Sequence, residues 1–153
     1  MTKATTRFTE AASALGFPVE VRTMDESTHT AVEAAHAVGC EVGAIVKSLV
    51  FLADGEPLLI LASGPNRVDT GVLGRLFGVE ITMADARRVK EATGYSIGGV
   101  PPFGHRERLR TIIDADLLRY EVVWAAAGSA TAVFSIEPDS LIELTAGEVS
   151  AVS

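Results

Sequence analysis

Apolar positions along the chain follow two rhythms. Phe8, Ala11, Ala12 and Leu15 recur at the spacing of one helical face, which predicts a first helix over residues 6–15 stopped by Gly16. Residues 17–24, FPVEVRTM, read as a short strand. Thr30 begins a second helix with Glu33 three residues on, a capping-box spacing, and Val32, Ala35 and Gly39 follow at helical intervals. Residues 44–53, AIVKSLVFLA, form a strand-like apolar run. Asp54-Gly55 turns the chain, and residues 58–63 return as the partner strand. Asp69 and Asp85 are suited to cap short helices that run to Phe77 and Thr93, ended by Gly78 and Gly94.

Further on, residues 111–114 read as a strand, and Asp114 or Asp116 starts a helical turn around Leu117 and Leu118. Residues 120–126 and 131–136 pair as a hairpin around Gly128-Ser129, and Pro138 suits the first turn of a last helix. Short helices alternating with hairpin-like strands predict an α+β fold with a mixed, mostly antiparallel sheet. Simple right-handed βαβ winding fits poorly, because at least two strand pairs are joined by tight turns.

Composition narrows the setting. With 153 residues, 48% of them hydrophobic, the chain is expected to form one domain over residues 1–153 with a substantial core. It has no apolar run near the ~18–20 residues of a membrane span. The N-terminal MTKATTRFTEAAS lacks the apolar block of a secretory signal. Its one cysteine, Cys40, excludes an internal disulfide framework, so the expected location is the cytoplasm. A net charge of −7 argues against broad nucleic-acid binding but leaves room for local basic clusters. Arg87, Arg88 and Lys90 form one such cluster, and Arg106, Arg108 and Arg110 another.

Lys47 interrupts the most apolar strand. Ile45, Lys47, Leu49 and Phe51 share one face, and Val46, Ser48, Val50 and Leu52 the other. A lysine there needs a partner or a cleft. It either pairs with a buried carboxylate, snorkels at an edge, or faces an anionic or carbonyl-bearing ligand. The segment GYSIGGVPPFGH, residues 94–105, combines glycines that permit close approach with prolines that fix shape. Gly98 and Gly99 could aim amide N–H groups at one oxygen, and His105 could handle a proton. The alternative is an ordinary surface turn. Gly128-Ser129 reads as a hairpin turn, and Asp69, beside Asn66 and Arg67, as a cap. His29 and His36 lack further ligands at a zinc spacing, so no metal is expected. Cys40 reads as packing, and there is no nucleophile elbow, P-loop or dinucleotide fingerprint.

Taken in order, TAVEAA from Thr30, IVKSLVF from Ile45, SGPNRVD from Ser63, GYSIGGVPPFG from Gly94, Gly128-Ser129 and PDSL from Pro138 resemble the YbaK / prolyl-tRNA synthetase-associated editing-domain family. The resemblance covers nearly all of the chain after residue 20. It implies a barrel-like mixed-sheet domain that hydrolyses mischarged aminoacyl-tRNA in trans, chiefly tRNA(Pro) carrying cysteine or alanine, without a cofactor. Lys47 matches the family's active-site lysine. Gly98, with Pro102 four residues on, matches its Gly-x-x-x-Pro loop, which holds the terminal adenosine and the ester. By the same resemblance Gly99, Pro101, Gly104, His105, Gly128, Ser129, Arg67 and Asn66 lie around the substrate.

Two departures bear on amino-acid specificity: Pro101 stands where many members carry Ser or Thr, and Gly-Pro-Asn-Arg replaces Gly-Asp-x-Arg. No Ser-His-Asp triad is visible. The expected mechanism is therefore positioning of water, or of a substrate thiol, with Lys47 and the Gly98 and Gly99 amides on the oxyanion. His105 is a weaker candidate for placing water. The implied partners are the tRNA acceptor end and a prolyl-tRNA synthetase or elongation factor, with the chain a monomer or homodimer. Two rivals remain: a binding module with the same pocket and no turnover, and a hydrolase of small free esters.

Overall fold

The computed structural model describes residues 2–24 and 30–153; His29 lies outside them. Helix α1 (Lys3–Ala14) starts three residues earlier than the apolar rhythm suggested, because the Thr2 side chain accepts the Thr5 N–H at 3.1 Å and caps it there. Strand β1 is Val21–Thr23, and α2 (Ala31–Val38) is capped by Thr30, which accepts the Glu33 N–H. A 3-10 turn, Val42–Ala44, precedes β2 (Val46–Ala53), and the Asp54-Gly55 turn leads into β3 (Glu56–Ser63). Asp69 and Asp85 cap α3 (Thr70–Phe77) and α4 (Ala86–Thr93) through their side chains. Strand β4 (Ile81–Met83) lies between those helices; β5 (Arg110–Asp114) leads into a 3-10 turn, Ala115–Arg119. Then come β6 (Val123–Ala126), β7 (Ala132–Ile136), α5 (Pro138–Thr145) and β8 (Glu148–Ser150).

The strands form two sheets. The larger has the order β4-β2-β3-β5-β8 and the smaller β1-β7-β6. Pairings β2–β3, β2–β4, β1–β7 and β6–β7 are antiparallel, while β3–β5 and β5–β8 are parallel. The fold is thus α+β with a mixed, mostly antiparallel arrangement. The sheets do not close into a barrel. Among the described residues they are joined by a single parallel bridge, Ile45 to Trp124.

Two apolar layers follow from the alternation of β2 and β3. Val46, Val50, Leu59 and Leu61 face the smaller sheet and pack with Phe8, Val89, Val100, Phe103 and Phe134. Phe51, Leu58, Ile60 and Ala62 face the other way, beneath Leu73 of α3 and Val152. A strand buried on both faces carries a continuous apolar run, which is why β3 reads as unbroken hydrophobic sequence. Strands β4 and β8, each three residues long, escape a pattern reading because three residues carry no period.

Candidate active site

Strand β2 is fully paired with β3 on one edge, but on the other it is covered only at its ends. β4 pairs with Phe51–Ala53, and Ile45 bridges Trp124 of β6. No described strand pairs with residues 46–50 on that edge. The two sheets splay apart there and leave a cavity of 410 Å³, within the range of small-molecule sites. Its walls are mostly apolar, with Trp124, Ile97, Val100, Met83 and Val133 among them. Its polar groups include Lys47, Ser48, Gly98 and Ser129.

The glycine-proline loop closes one side. Gly94 ends α4 in a left-handed conformation, its N–H on the Lys90 carbonyl. Tyr95 is buried under the Arg7 guanidinium, 4.7 Å from the ring centroid, and its hydroxyl donates to the Gly104 carbonyl at 3.3 Å. Phe103 inserts among Phe8, Phe17 and Phe134 at 5.4–6.3 Å between ring centroids. With both ends anchored, residues 96–99 turn out over the cavity. Gly98 is exposed at φ +91, a backbone state that disfavours any other residue, and an added Cβ there would meet open space.

Gly99 differs. A Cβ there would lie 2.7 Å from Ser129 Cα and 2.8 Å from the Gly128 carbonyl oxygen. The loop and the β6–β7 turn therefore pack backbone against backbone, and two glycine-bearing motifs 30 residues apart form one wall. The Gly99 N–H donates to the Ser96 carbonyl at 3.0 Å. Of the two amides expected to converge on an oxygen, that of Gly98 has no backbone partner among the described residues, whereas the Gly99 amide is spent within its own turn.

Residues 101–105 of the loop face away from the cavity. His105 Nε2 meets the Pro101 carbonyl at 2.6 Å. Pro102, Gly104 and His105 line a separate hollow against Ala11, Ala14 and Leu15 of α1. The structure thus does not bring Pro101, Pro102, Gly104 or His105 to the cavity. The buried prolines and the histidine clasp hold the loop's shape from behind. Burial keeps the His105 pKa below its ordinary value, an effect only partly opposed by the Pro101 contact.

Lys47 is half-buried at the bare edge, its Nζ donating to the Asn66 carbonyl at 2.5 Å. Burial lowers its pKa, the Asp114 charge pulls it back up, and exposed Arg67 pushes it down again. Asn66 and Arg67 therefore reach the site through Lys47 rather than by lining the cavity. Gly128 supports the Ser129 turn from behind, at φ +98 and against the backbone of Ala4 in α1. The Ser129 hydroxyl lies 3.4 Å from Thr5 Oγ1 and 3.3 Å from Thr131 Oγ1, and no hydrogen bond joins it to a histidine among the described residues.

Three residues here escaped the sequence reading. Trp124 walls the cavity but was one apolar residue in a strand. Ser48 places a buried Oγ without a described partner at the bare edge, and small polar residues in strands carry no signal. Asp114, 1% exposed, read only as the start of a turn. A carboxylate ending an otherwise apolar strand, TIID, was the available hint.

Among known proteins, the chain is 32% identical over 131 residues to the uncharacterized protein YwhH of Bacillus subtilis, covering 85% of this chain and 83% of that one. It is 36% identical over 102 residues to a proline–tRNA ligase of Maridesulfovibrio salexigens, a match spanning 66% of this chain but 17% of the ligase. A solved protein described as a candidate trans-editing enzyme for prolyl tRNA synthetase superposes with a TM-score of 0.95 at 44% identity, over 100% of this chain and 98% of that one. The hypothetical protein APE2540 superposes with a TM-score of 0.86 at 30% identity, over 95% and 98% of the two chains. The family defined as the aminoacyl-tRNA editing domain matches residues 25–144. From that span, and from these relatives, the chain belongs to the aminoacyl-tRNA editing domain family.

Proposed function

We propose that this chain hydrolyses, in trans, the ester of mischarged tRNA, its substrate being tRNA(Pro) that carries cysteine or alanine. The observation that carries this reading is the cavity on the bare edge of β2, where Lys47 and the exposed backbone of Gly98 stand over apolar walls. Supporting it, the structural relative described as a candidate trans-editing enzyme matches nearly end to end. The ligases, by contrast, match over a small part of their length, so no synthetase activity is carried over.

In this reading the Lys47 ammonium and the Gly98 N–H hold the ester carbonyl and stabilise the negative charge that forms on its oxygen. Water adds to the carbonyl carbon, the bond to the ribose oxygen breaks, and that oxygen takes up a proton. For a cysteinyl substrate its own thiol can attack the carbonyl instead: the C–S bond closes a ring, the bond to the ribose oxygen breaks, that oxygen takes up the thiol proton, and the amino acid leaves as a cyclic thioester. Ser129 is held by threonines and His105 is turned behind the loop, so neither is placed as a nucleophile–base pair. An activated ester in an oriented site with mostly apolar walls needs little more than positioning. The acceptor end is the expected RNA contact. A synthetase or elongation-factor partner would offset the acidic net charge, and the cytoplasm, where charged tRNA resides, is the expected setting.

The test is deacylation of a panel of mischarged tRNA(Pro) and tRNA(Ala) by the wild-type chain and by Lys47→Ala. Selective turnover abolished in the variant supports the reading. Binding without turnover across the panel would make the domain a binding module, and full activity of Lys47→Ala would remove the lysine from the mechanism.

A further inference from the structure

We infer that Asn66 and Asp114 are positioning residues that aim the Lys47 ammonium at the cavity; this rests on the role given to Lys47 above. A lysine stem is long and freely rotating, and on an unpaired strand edge nothing in β2 itself fixes its end. What fixes it is the Asn66 carbonyl, which accepts from Nζ. A loop carbonyl is only as steady as its loop, and this one is clamped. The Asp114 carboxylate sits at the end of β5, beside the end of its parallel neighbour β3. Its Oδ2 accepts from the Ser63 N–H at 2.9 Å and from Asn66 Nδ2 at 2.8 Å, so one oxygen grips both ends of the turn from residue 63 to residue 66. Its Oδ1 accepts the Asp116 N–H at 3.0 Å. The second N–H of Asn66 Nδ2 donates to Asp116 Oδ2 at 2.7 Å, and the Asn66 main-chain N–H closes on the Ser63 carbonyl at 2.9 Å.

The arrangement exceeds what the turn alone requires. The Ser63 and Asp116 amides already satisfy Asp114 as an ordinary cap. The Asn66 side chain extends that clamp to the residue whose carbonyl holds the lysine. It must be an amide, because it donates to two carboxylates at once, and an aspartate in its place would set a third negative charge against them. Among the described residues the ammonium has this one hydrogen-bond partner, which leaves two further N–H donors for a ligand. Asp114, nearly inaccessible to water, supplies the negative charge that favours the protonated lysine in a half-buried site.

The experiment compares Asn66→Ala, Asp114→Asn and Lys47→Ala with the wild type in two readouts. The first is the kcat and KM of deacylation of the fastest mischarged tRNA in the panel. The second, read on the protein alone, is the NMR titration of the 15N-labelled Lys47 amine. Asn66→Ala is expected to stay folded and to lose kcat on the order of tenfold to a hundredfold, with a much smaller change in KM. Asp114→Asn is expected to move the Lys47 titration to lower pH and to bring the alkaline fall of activity down with it. Folded Asn66→Ala with unchanged kcat overturns the inference, as does Asp114→Asn with an unmoved titration; if Asp114→Asn fails to fold, Asn66→Ala alone decides. A fully active Lys47→Ala defeats the role of the lysine itself. An inactive Lys47→Ala beside an undisturbed Asn66→Ala defeats only the positioning.

Discussion

Replacing Gly99 by alanine isolates the contact between the two glycine motifs. The added methyl would stand 2.7 Å from Ser129 Cα, whereas ordinary contact begins at 3.4 Å, so one backbone must retreat by about 0.7 Å. Neither side yields easily. The loop is held by Phe103 and the His105–Pro101 contact, and the Gly128 turn is backed by the main chain of α1. Overpacking of this kind costs typically about 1–3 kcal/mol. At roughly 2–4 °C per kcal/mol for a chain of this size, the melting temperature falls by about 2–12 °C. The same displacement moves Gly98 and Ser129 at the cavity, and a shift approaching 1 Å in a positioning group can cost about a hundredfold in rate. Thermal unfolding by circular dichroism, with deacylation assayed well below the midpoint, separates the two effects. Gly98→Ala is the control for the melting arm alone: its methyl enters open space, so its stability bears only the left-handed backbone cost of about 1–2 kcal/mol. Gly99→Ala with wild-type melting and wild-type kcat would refute the claim that the two turns are locked together.

Other substitutions probe neighbouring features. Gly128→Ala combines φ +98 with a methyl 2.7 Å from the Ala4 carbonyl oxygen, so it should destabilise more than Gly98→Ala, by about 2–4 kcal/mol in urea unfolding. Ser48→Ala removes a buried hydroxyl without a described partner and should leave stability unchanged or raise it by about 1 kcal/mol; a clear loss would reveal an unseen partner. His105 has a folded pKa below its ordinary 6.5, so the unfolded chain binds the extra proton first. Its contribution to stability is full above that value and is lost as pH falls toward the folded pKa. His105→Gln should flatten that part of a melting-temperature profile taken between about pH 7 and pH 4, and an unchanged slope would assign the loss to other groups.

Elements with their own punctuation were legible in the chain. The Asp69 and Asp85 caps, Gly78 and Gly94 as stops, and the Asp54-Gly55 turn each act within a few residues, so sequence spacing carries them. Lys47 stood out because a charge in a doubly apolar strand has to be accounted for. What the spacing could not show was partnership across the fold. Neither the packing of Gly99 on Ser129 nor the reach of Asp114 to Asn66 leaves a mark in local periodicity. Direction was equally hidden. His105 belongs to the same motif as Gly98, yet a few residues of fixed loop turn it to the opposite side. That the two sheets stay open rather than closing was hidden for a related reason, since closure depends on whether strands meet and not on how many there are.

The short reach of β4 has one more consequence. An unpaired stretch of strand edge is ordinarily a hazard, an invitation for another chain to extend the sheet. Here β4 stops after pairing with Phe51, and the sheet would zip shut over Val50 and Leu49 if β4 were a few residues longer. The Asp85 cap that starts α4 just beyond β4 turns the chain away before that can happen. The opening is thus a matter of where one strand is made to end. Lengthening β4, with every site residue left in place, would be enough to abolish it.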